Sequence, residues 1–202
     1  MNSLKAELRG ETTPQFQLML PVGWVRREPT DQVRDELLGQ AKARLMAVHR
    51  PDLYAQTLAM TNRMFRDMQR LETVAFFGPA PDAPAEAFLP ASLTAAIRRG
   101  DNGASLDDDI AALIRDRGAT SLGGDKRFVR WEQRRTEQFE GSPVSTTTVL
   151  YIIPVPGSGR RRALQFTLVI PHGEETPEDE AMAEGIKTMF DAHLSTFSWV
   201  AA

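Results

Sequence analysis

The clearest pattern of apolar and polar positions lies in the last third of the chain. Between Ala163 and Ile170 every second residue is large and apolar, and these residues are Leu164, Phe166, Leu168 and Ile170. Alternation with a period of two indicates a β-strand that buries one face. Each such side chain contributes roughly 1.5 to 3 kcal/mol when it is buried. A second element must therefore cover this face.

The residues before this strand predict its neighbour. The segment Thr146 to Ile153 is rich in β-branched side chains and is apolar enough to be a central strand. The connection from Pro154 to Gly159 contains two prolines and two glycines, which interrupt a strand and let the chain reverse. Together the segments predict a long β-hairpin between Val144 and Ile170.

The covering element follows directly in the sequence. Thr176 is a helix-capping residue, Pro177 suits the first helical position, and Glu178 and Asp179 complement the positive end of the helix dipole. Apolar residues then recur at three- and four-residue spacing and predict one apolar helix face: Met182, Ile186, Met189, Phe190, His193, Leu194 and Phe197. The sequence therefore predicts a helix that lies across the hairpin.

The rest of the chain supplies four further strands and three helices. The predicted strands are 16–20, 73–77, 92–97 and 127–139, and the predicted helices begin near Thr30, Pro51 and Ser105. Segment 92–97 fits a helix equally well, since it contains alanine and leucine. The charged strand 127–139 is expected near a sheet edge. About six strands in mostly consecutive hairpins favour an α+β fold with a mainly antiparallel sheet.

Two groups of large side chains leave a choice between core and binding roles. We expect Trp24, just after the turn at 21–23, in the core rather than stacked on a ligand, because large aromatic side chains are usually buried. Met60, Met64 and Met68 recur at every fourth position of a predicted helix. They predict either an adaptable partner surface or a seam of the core, and the core is the favoured interpretation.

Composition limits the classes of function. The chain has 202 residues, 42% of them hydrophobic, a net charge of −3 and no cysteine. We expect a flexible arm at 1–13 and one domain at 14–202. The near-neutral charge does not favour nucleic acid or an anionic membrane, and no apolar run approaches the ~20 residues of a membrane span. The first ten residues lack the apolar core of a signal peptide, so the sequence as it stands predicts a cytoplasmic protein.

Catalytic and metal-binding motifs are absent from the sequence. It has no phosphate-binding loop, dinucleotide fingerprint, nucleophile elbow or zinc-binding helix motif. Asp107, Asp108 and Asp109 point about 100° apart on a helix and cannot share one ion, so they are expected to balance the helix dipole. For His172 a structural or solvent-facing role is favoured over a catalytic one. We therefore predict no catalytic residue, no cofactor and no metal.

The strongest candidate for function is electrostatic. Arg160, Arg161 and Arg162 precede the last long strand, and five acidic residues follow it: Glu174, Glu175, Glu178, Asp179 and Glu180. An extended strand holds the two groups roughly 30 Å apart, several times the screening length of about 8 Å. The three arginines are therefore either an ordinary solvated turn or a docking surface for a protein partner.

Two aromatic segments resemble a known superfamily. Segment 16–24, which ends in Pro21-Val22-Gly23-Trp24, resembles the opening strand and turn of PsbP-like and Mog-like proteins. Phe190-Asp191, followed by segment 195–199, resembles their closing helix and last turn. The resemblance implies a three-layer α/β/α sandwich with an antiparallel sheet, and it implies binding and assembly roles without catalytic residues.

The residues and the resemblance together predict a non-catalytic protein-binding or assembly module, which could also form homo-oligomers. The alternative is a small-molecule-binding protein or enzyme with a pocket between the sheet and the helices. A pocket of several hundred Å³ with convergent polar groups would favour that alternative, and a filled interior would favour the module. Nucleic-acid binding through Arg160 to Arg162 is disfavoured, because three arginines supply few phosphate contacts.

Overall fold

The predicted hairpin is present as two long paired strands. A computed structural model of the protein describes residues 13–139, 142–172 and 176–200, without the side chains of residues 85, 137–139, 142–144 and 172. The nine strands of these residues are β1 Phe16–Gln17, β2 Trp24–Arg27, β3 Thr73–Pro79, β4 Ser92–Arg99, β5 Thr120–Leu122, β6 Asp125–Phe139, β7 Ser142–Pro154, β8 Arg162–His172 and β9 Ser198–Trp199. The predicted arm, residues 1–13, lies outside the described residues except for Thr13.

The helices fall where the sequence places them. They are α1 Asp31–Ala47, α2 Pro51–Arg70, α3 Asp107–Arg117 and α4 Pro177–Ser195. Thr176 caps α4 as predicted, since its hydroxyl accepts a hydrogen bond from the Asp179 amide at 3.1 Å. No helix among the described residues is long and apolar enough to cross a membrane.

Seven strands form one sheet in the order β2-β3-β4-β8-β7-β6-β5, and every neighbouring pair is antiparallel. The predicted α+β fold with a mainly antiparallel sheet is therefore confirmed. The predicted first strand is not part of this sheet, because β1 pairs with β9 in a separate two-stranded ladder. Strands β2 and β5 were not predicted, since β2 carries two arginines and β5 has only three residues.

The main core lies between the sheet and α4. Leu164, Phe166, Leu168 and Ile170 of β8 are all fully buried, as the alternation predicts. They share this core with four residues of α4, namely Ala183, Ile186, Phe190 and Leu194. Four buried side chains at roughly 1.5 to 3 kcal/mol each rival the whole net stability of a domain. The α4 helix therefore supplies the cover that β8 requires.

Helices α2 and α3 pack on the opposite face of the sheet. In α2 the Phe65 ring meets the Phe76 ring edge to face at 5.7 Å, and Phe76 alternates with Phe77 of the main core. Leu106, next to α3, forms a smaller cluster with Ile152 and Ala163 of the hairpin. None of residues 31–47 is buried, so α1 packs on α2 at the surface. The residues that α2 and α3 contact thus alternate along the strands with those of the main core.

Trp24 is a core residue, as predicted. It is buried, its ring packs edge to face on Phe190 at 5.2 Å, and its Nε1 donates to the Ala87 carbonyl at 2.8 Å. The preceding turn places Gly23 at φ +79°, and a Cβ there would lie 3.0 Å from that of Ala87. Glycine is therefore required for Trp24 to enter the core.

Replacing Phe190 tests whether α4 is the main cover. Phe190→Ala should lower the free energy of unfolding by about 3 to 5 kcal/mol, because it removes a fully buried ring and leaves a cavity. Urea unfolding monitored by circular dichroism measures the change. Met182→Ala is the matched control on the same helix, and since Met182 is 40% exposed its effect should stay within about 0.5 kcal/mol. Equal effects of the two changes would contradict this role of α4.

Candidate functional site

The three predicted arginines do not form one exposed cluster. Arg160 is exposed and pairs with Asp107 at 3.3 Å, and Arg161 is exposed. Arg162 is only 7% exposed. Arg162 is therefore buried at the start of β8 and is not part of an exposed arginine surface. Of the acidic group beyond β8, Glu174 and Glu175 lie outside the described residues, and the rest belong to the first turn of α4.

A pocket of about 230 Å³ lies beside these arginines, between α3 and the hairpin. We call it the hairpin pocket. Arg160 and Arg162 line it together with Lys126 and Arg127 from the start of β6. Its apolar wall includes Ile110, and residues 106, 129, 152 and 163 complete that wall. The structure thus brings two of the three predicted arginines together with two cations that the sequence analysis did not single out.

An exposed apolar surface follows α2. Met60 is 68% exposed and Met64 is 43% exposed, whereas Met68 is 5% exposed. The favoured core interpretation is therefore right for Met68 and wrong for the other two. Leu71, at 59% exposure, continues the same surface beyond the helix end.

These side chains border an open groove of about 670 Å³ between α2 and the sheet, which we call the methionine groove. Its sheet side is formed by Thr73 of β3 and Thr94 of β4. Methionine side chains are flexible and polarizable, and they suit surfaces that adapt to a partner. Exposed apolar surface of this kind marks interaction sites more often than it occurs by chance.

The groove has a charged rim. Arg63 and Asp67 line the groove, and Arg66 and Arg70 are exposed beside it on α2. Asp67 pairs with Arg63 at 4.0 Å and with Arg70 at 3.4 Å. Exposed ion pairs of this type contribute little stability. Asp67 offsets Arg63 within the groove, so the net positive charge of this part of α2 comes from Arg66 and Arg70 beside it.

A polar network joins α4 to β6 on the other face of the sheet. Asp191 accepts a hydrogen bond from the Tyr151 hydroxyl at 2.6 Å and another from Arg130 Nε at 2.9 Å. Arg130 also pairs with Glu132 at 2.8 Å, and Glu132 pairs with Lys187 at 3.3 Å. The network continues to a cavity of about 560 Å³ beside α4.

The network shifts the ionisation of its members. Burial raises the pKa of the Tyr151 hydroxyl above its ordinary value of 10, and the hydrogen bond to Asp191 raises it further. Burial alone would raise the pKa of Glu132, but its hydrogen bond to Arg130 and the charge of Lys187 hold that pKa below the usual value. The Tyr151 hydroxyl therefore keeps its proton and donates a hydrogen bond to Asp191.

Sequence reasoning missed this network. The signal was present, since Arg130, Glu132 and Arg134 alternate along one face of β6. Residues 180, 184, 187 and 191 recur at helical spacing on α4. Charged residues at strand spacing in one segment and at helical spacing in another could have indicated that the two segments pair.

The remaining candidates have plain positions. Asp107, Asp108 and Asp109 form the first turn of α3, and Asp109 pairs with Arg98 at 3.3 Å. His172 ends β8, and its side chain is outside the described part of the chain. Among residues 13–139, 142–172 and 176–200, no three carboxylate or imidazole side chains are grouped to hold a metal ion.

Known proteins offer little comparison. No family model matches the chain, and no curated protein matches it. A crystal structure from Bacteroides thetaiotaomicron VPI-5482, at 1.50 Å resolution, is similar to it with 9% sequence identity and a TM-score of 0.40, over 92% of this chain and 45% of that one. The chain spans less than half the length of that protein.

Tyr151→Phe tests the network. At about pH 8 it should lower the free energy of unfolding by about 1.5 to 3 kcal/mol, because Asp191 loses a hydrogen-bond donor. The pKa of Tyr151 is higher in the folded protein than in the unfolded one, so the neutral phenol contributes its full stability below the unfolded pKa of about 10. This contribution is lost as the pH rises above that value. The difference between the two proteins in urea unfolding should therefore shrink by about pH 11.

A second variant gives an independent measurement. The chain has two tyrosines, so Tyr54→Phe leaves Tyr151 as the sole phenol. Ultraviolet titration of Tyr54→Phe should show no phenolate signal before the protein unfolds. Phenolate absorbance that appears in the folded variant near pH 10, the ordinary range for tyrosine, would contradict the raised pKa.

Proposed function

We propose that this protein is a non-catalytic binding or assembly module that holds a protein partner in the methionine groove. The observation that carries the proposal is the exposure of Met60, Met64 and Leu71 along one open groove of about 670 Å³. Burying three such side chains against a partner would contribute several kcal/mol, at roughly 1.5 to 3 kcal/mol each. These three anchors offset part of the cost of association, and contacts with the rest of the groove must supply the remainder.

The form of the groove favours an amphipathic helix as the partner segment. Met60, Met64 and Leu71 lie along one side of α2 and its end, so the groove is elongated with an apolar wall, and an amphipathic helix can lay its apolar face into such a groove. Arg66 and Arg70 beside the groove give this part of α2 a net positive charge. A partner helix that flanks its apolar face with glutamate or aspartate therefore complements the groove.

We also propose that the fold is the three-layer α/β/α sandwich of PsbP-like and Mog-like proteins. Helices pack on both faces of the sheet, which supports this architecture. The two segments that carry the resemblance lie against each other, since β1 pairs with β9 and Trp24 packs on Phe190. The absence of catalytic residues and the cytoplasmic location stay predictions of the sequence.

The second candidate is a small-molecule ligand beside α4. The cavity of about 560 Å³ has convergent charged side chains, among them Glu132, Glu180 and Lys187. Lys187 already pairs with Glu132 at 3.3 Å, and Glu180 already pairs with Arg134 at 3.1 Å. A ligand must displace these internal pairs, whereas the methionine groove is open. The groove is therefore the stronger proposal.

A designed peptide tests the groove directly. The probe is an amphipathic peptide of about 18 residues, five helical turns, with leucines on one face and glutamates on the other. Fluorescence anisotropy should show that the protein binds it at least about tenfold more tightly than the same peptide with lysines. Met60→Glu with Met64→Glu should weaken binding by about tenfold or more, because charge enters the apolar face.

Met182→Glu is the matched control for the groove variant. It introduces one negative charge, where the groove variant introduces two, at a methionine of similar exposure, 40% compared with 43% for Met64, but on α4. Its peptide affinity should match that of the original protein. Equal losses in the two variants, or equal binding of the acidic and basic peptides, would contradict the proposed groove.

Site-specific cross-linking tests the natural partner. A photoactivatable residue at position 60 should capture one defined protein in cells that express the chain at native level, and the same residue at position 182 should not. Capture of a second copy of this chain would show that the groove serves self-association and would contradict a separate protein partner. Adducts that are the same at both positions, or absent at both, would contradict the proposal.

A further inference from the structure

The hairpin pocket is held in place by backbone hydrogen bonds as well as by packing. The Leu106 amide donates to the Arg160 carbonyl at 2.9 Å, and the Val155 amide donates to the Arg162 carbonyl at 3.0 Å. Leu106, Ile152 and Ala163 are buried beneath it. The start of α3 and the β7–β8 turn therefore form one fixed wall.

The pocket gathers positive charge at an apolar surface. Lys126, Arg127, Arg160 and Arg162 line it, and Asp107 is the carboxylate in the described lining. Arg127 pairs with Asp125 at 2.6 Å and Arg160 pairs with Asp107 at 3.3 Å, both as largely exposed pairs. The four cations outnumber the two carboxylates, so the pocket keeps a net positive charge that attracts an anion. A bound anion competes with two exposed pairs, which contribute little stability.

Size and lining define the kind of ligand. A volume of about 230 Å³ falls below the roughly 300 to 1,000 Å³ of pockets that hold drug-sized ligands. Guanidinium groups bind carboxylate and phosphate oxygens through paired hydrogen bonds. The apolar side of the pocket, which includes Ile110 and Val129, suits a compact hydrocarbon body.

We propose that the hairpin pocket binds a small organic anion, with a carboxylate or phosphate head among Lys126, Arg127 and Arg160 and an apolar body against Leu106 and Ile110. This site lies at the end of the sheet beside α3 and is separate from the methionine groove. The proposal therefore does not depend on the proposed protein partner.

Four probes separate the head from the body of the ligand. Isothermal titration calorimetry of the full chain would compare benzoate, phenyl phosphate, benzamide and inorganic phosphate. Benzoate and phenyl phosphate should bind at least about tenfold more tightly than uncharged benzamide and than inorganic phosphate, which has no apolar body. The ratio of the affinities for benzoate and phenyl phosphate shows whether the pocket prefers a carboxylate or a phosphate head.

Two outcomes of this comparison would overturn the proposal. Benzamide that binds as tightly as benzoate would show that the cations do not select the ligand. Inorganic phosphate that binds as tightly as phenyl phosphate would show that the apolar wall does not take part.

The chain provides a matched control for the cations. Arg160→Gln and Lys126→Gln should each weaken benzoate binding by about tenfold. Arg161→Gln removes the same charge from the adjacent exposed residue, which does not line the described pocket, and should change affinity less than about twofold. Thermal unfolding of all three variants should match the original protein, because the positions are exposed. An equal loss in Arg161→Gln would reduce the effect to general surface attraction and contradict a defined site.

Discussion

The structure depends on the cover that α4 provides for the inner face of β8. Four alternate side chains of that strand are fully buried, and they lie under Ile186, Phe190 and Leu194. The same helix turns polar side chains to β6 and β7, where Asp191 accepts hydrogen bonds from Arg130 of β6 and from the Tyr151 hydroxyl of β7. One helix therefore supplies both the apolar contact that drives folding and the charged contact that fixes its orientation on the sheet.

Much of the fold could be predicted from the sequence because its long elements have strong periodicity. The alternation in β8, the capping residue Thr176 and the helical spacing after it gave the correct hairpin and its cover. Short elements lack such a signal. Strand β2 is held by its pairing with β3, and β5 exists only because it pairs with the start of β6. Tertiary contacts rather than local preference create both.

The candidate sites were less accessible to sequence reasoning. Spacing places Met60, Met64 and Met68 on one helix face, but it cannot show that the sheet reaches only Met68. Consecutive arginines likewise predict one cluster, whereas β8 begins at Arg162 and buries it, and Arg160 and Arg161 are exposed in the turn before the strand. The partners of a surface side chain come from distant segments, as Lys126 comes to the hairpin pocket. Such sites emerge only when the sheet order is known.

The pairing of β1 with β9 has a consequence for the path by which the chain folds. Gln17 and Ser198 hydrogen-bond across 181 residues of sequence, so closing this small ladder constrains nearly the whole polypeptide. The entropy lost grows with the logarithm of the enclosed length, and the two residue pairs offset it together with the burial of Phe16 against Phe166 of β8. We therefore expect this ladder to close after the seven-stranded sheet has assembled, because that burial needs β8 in place.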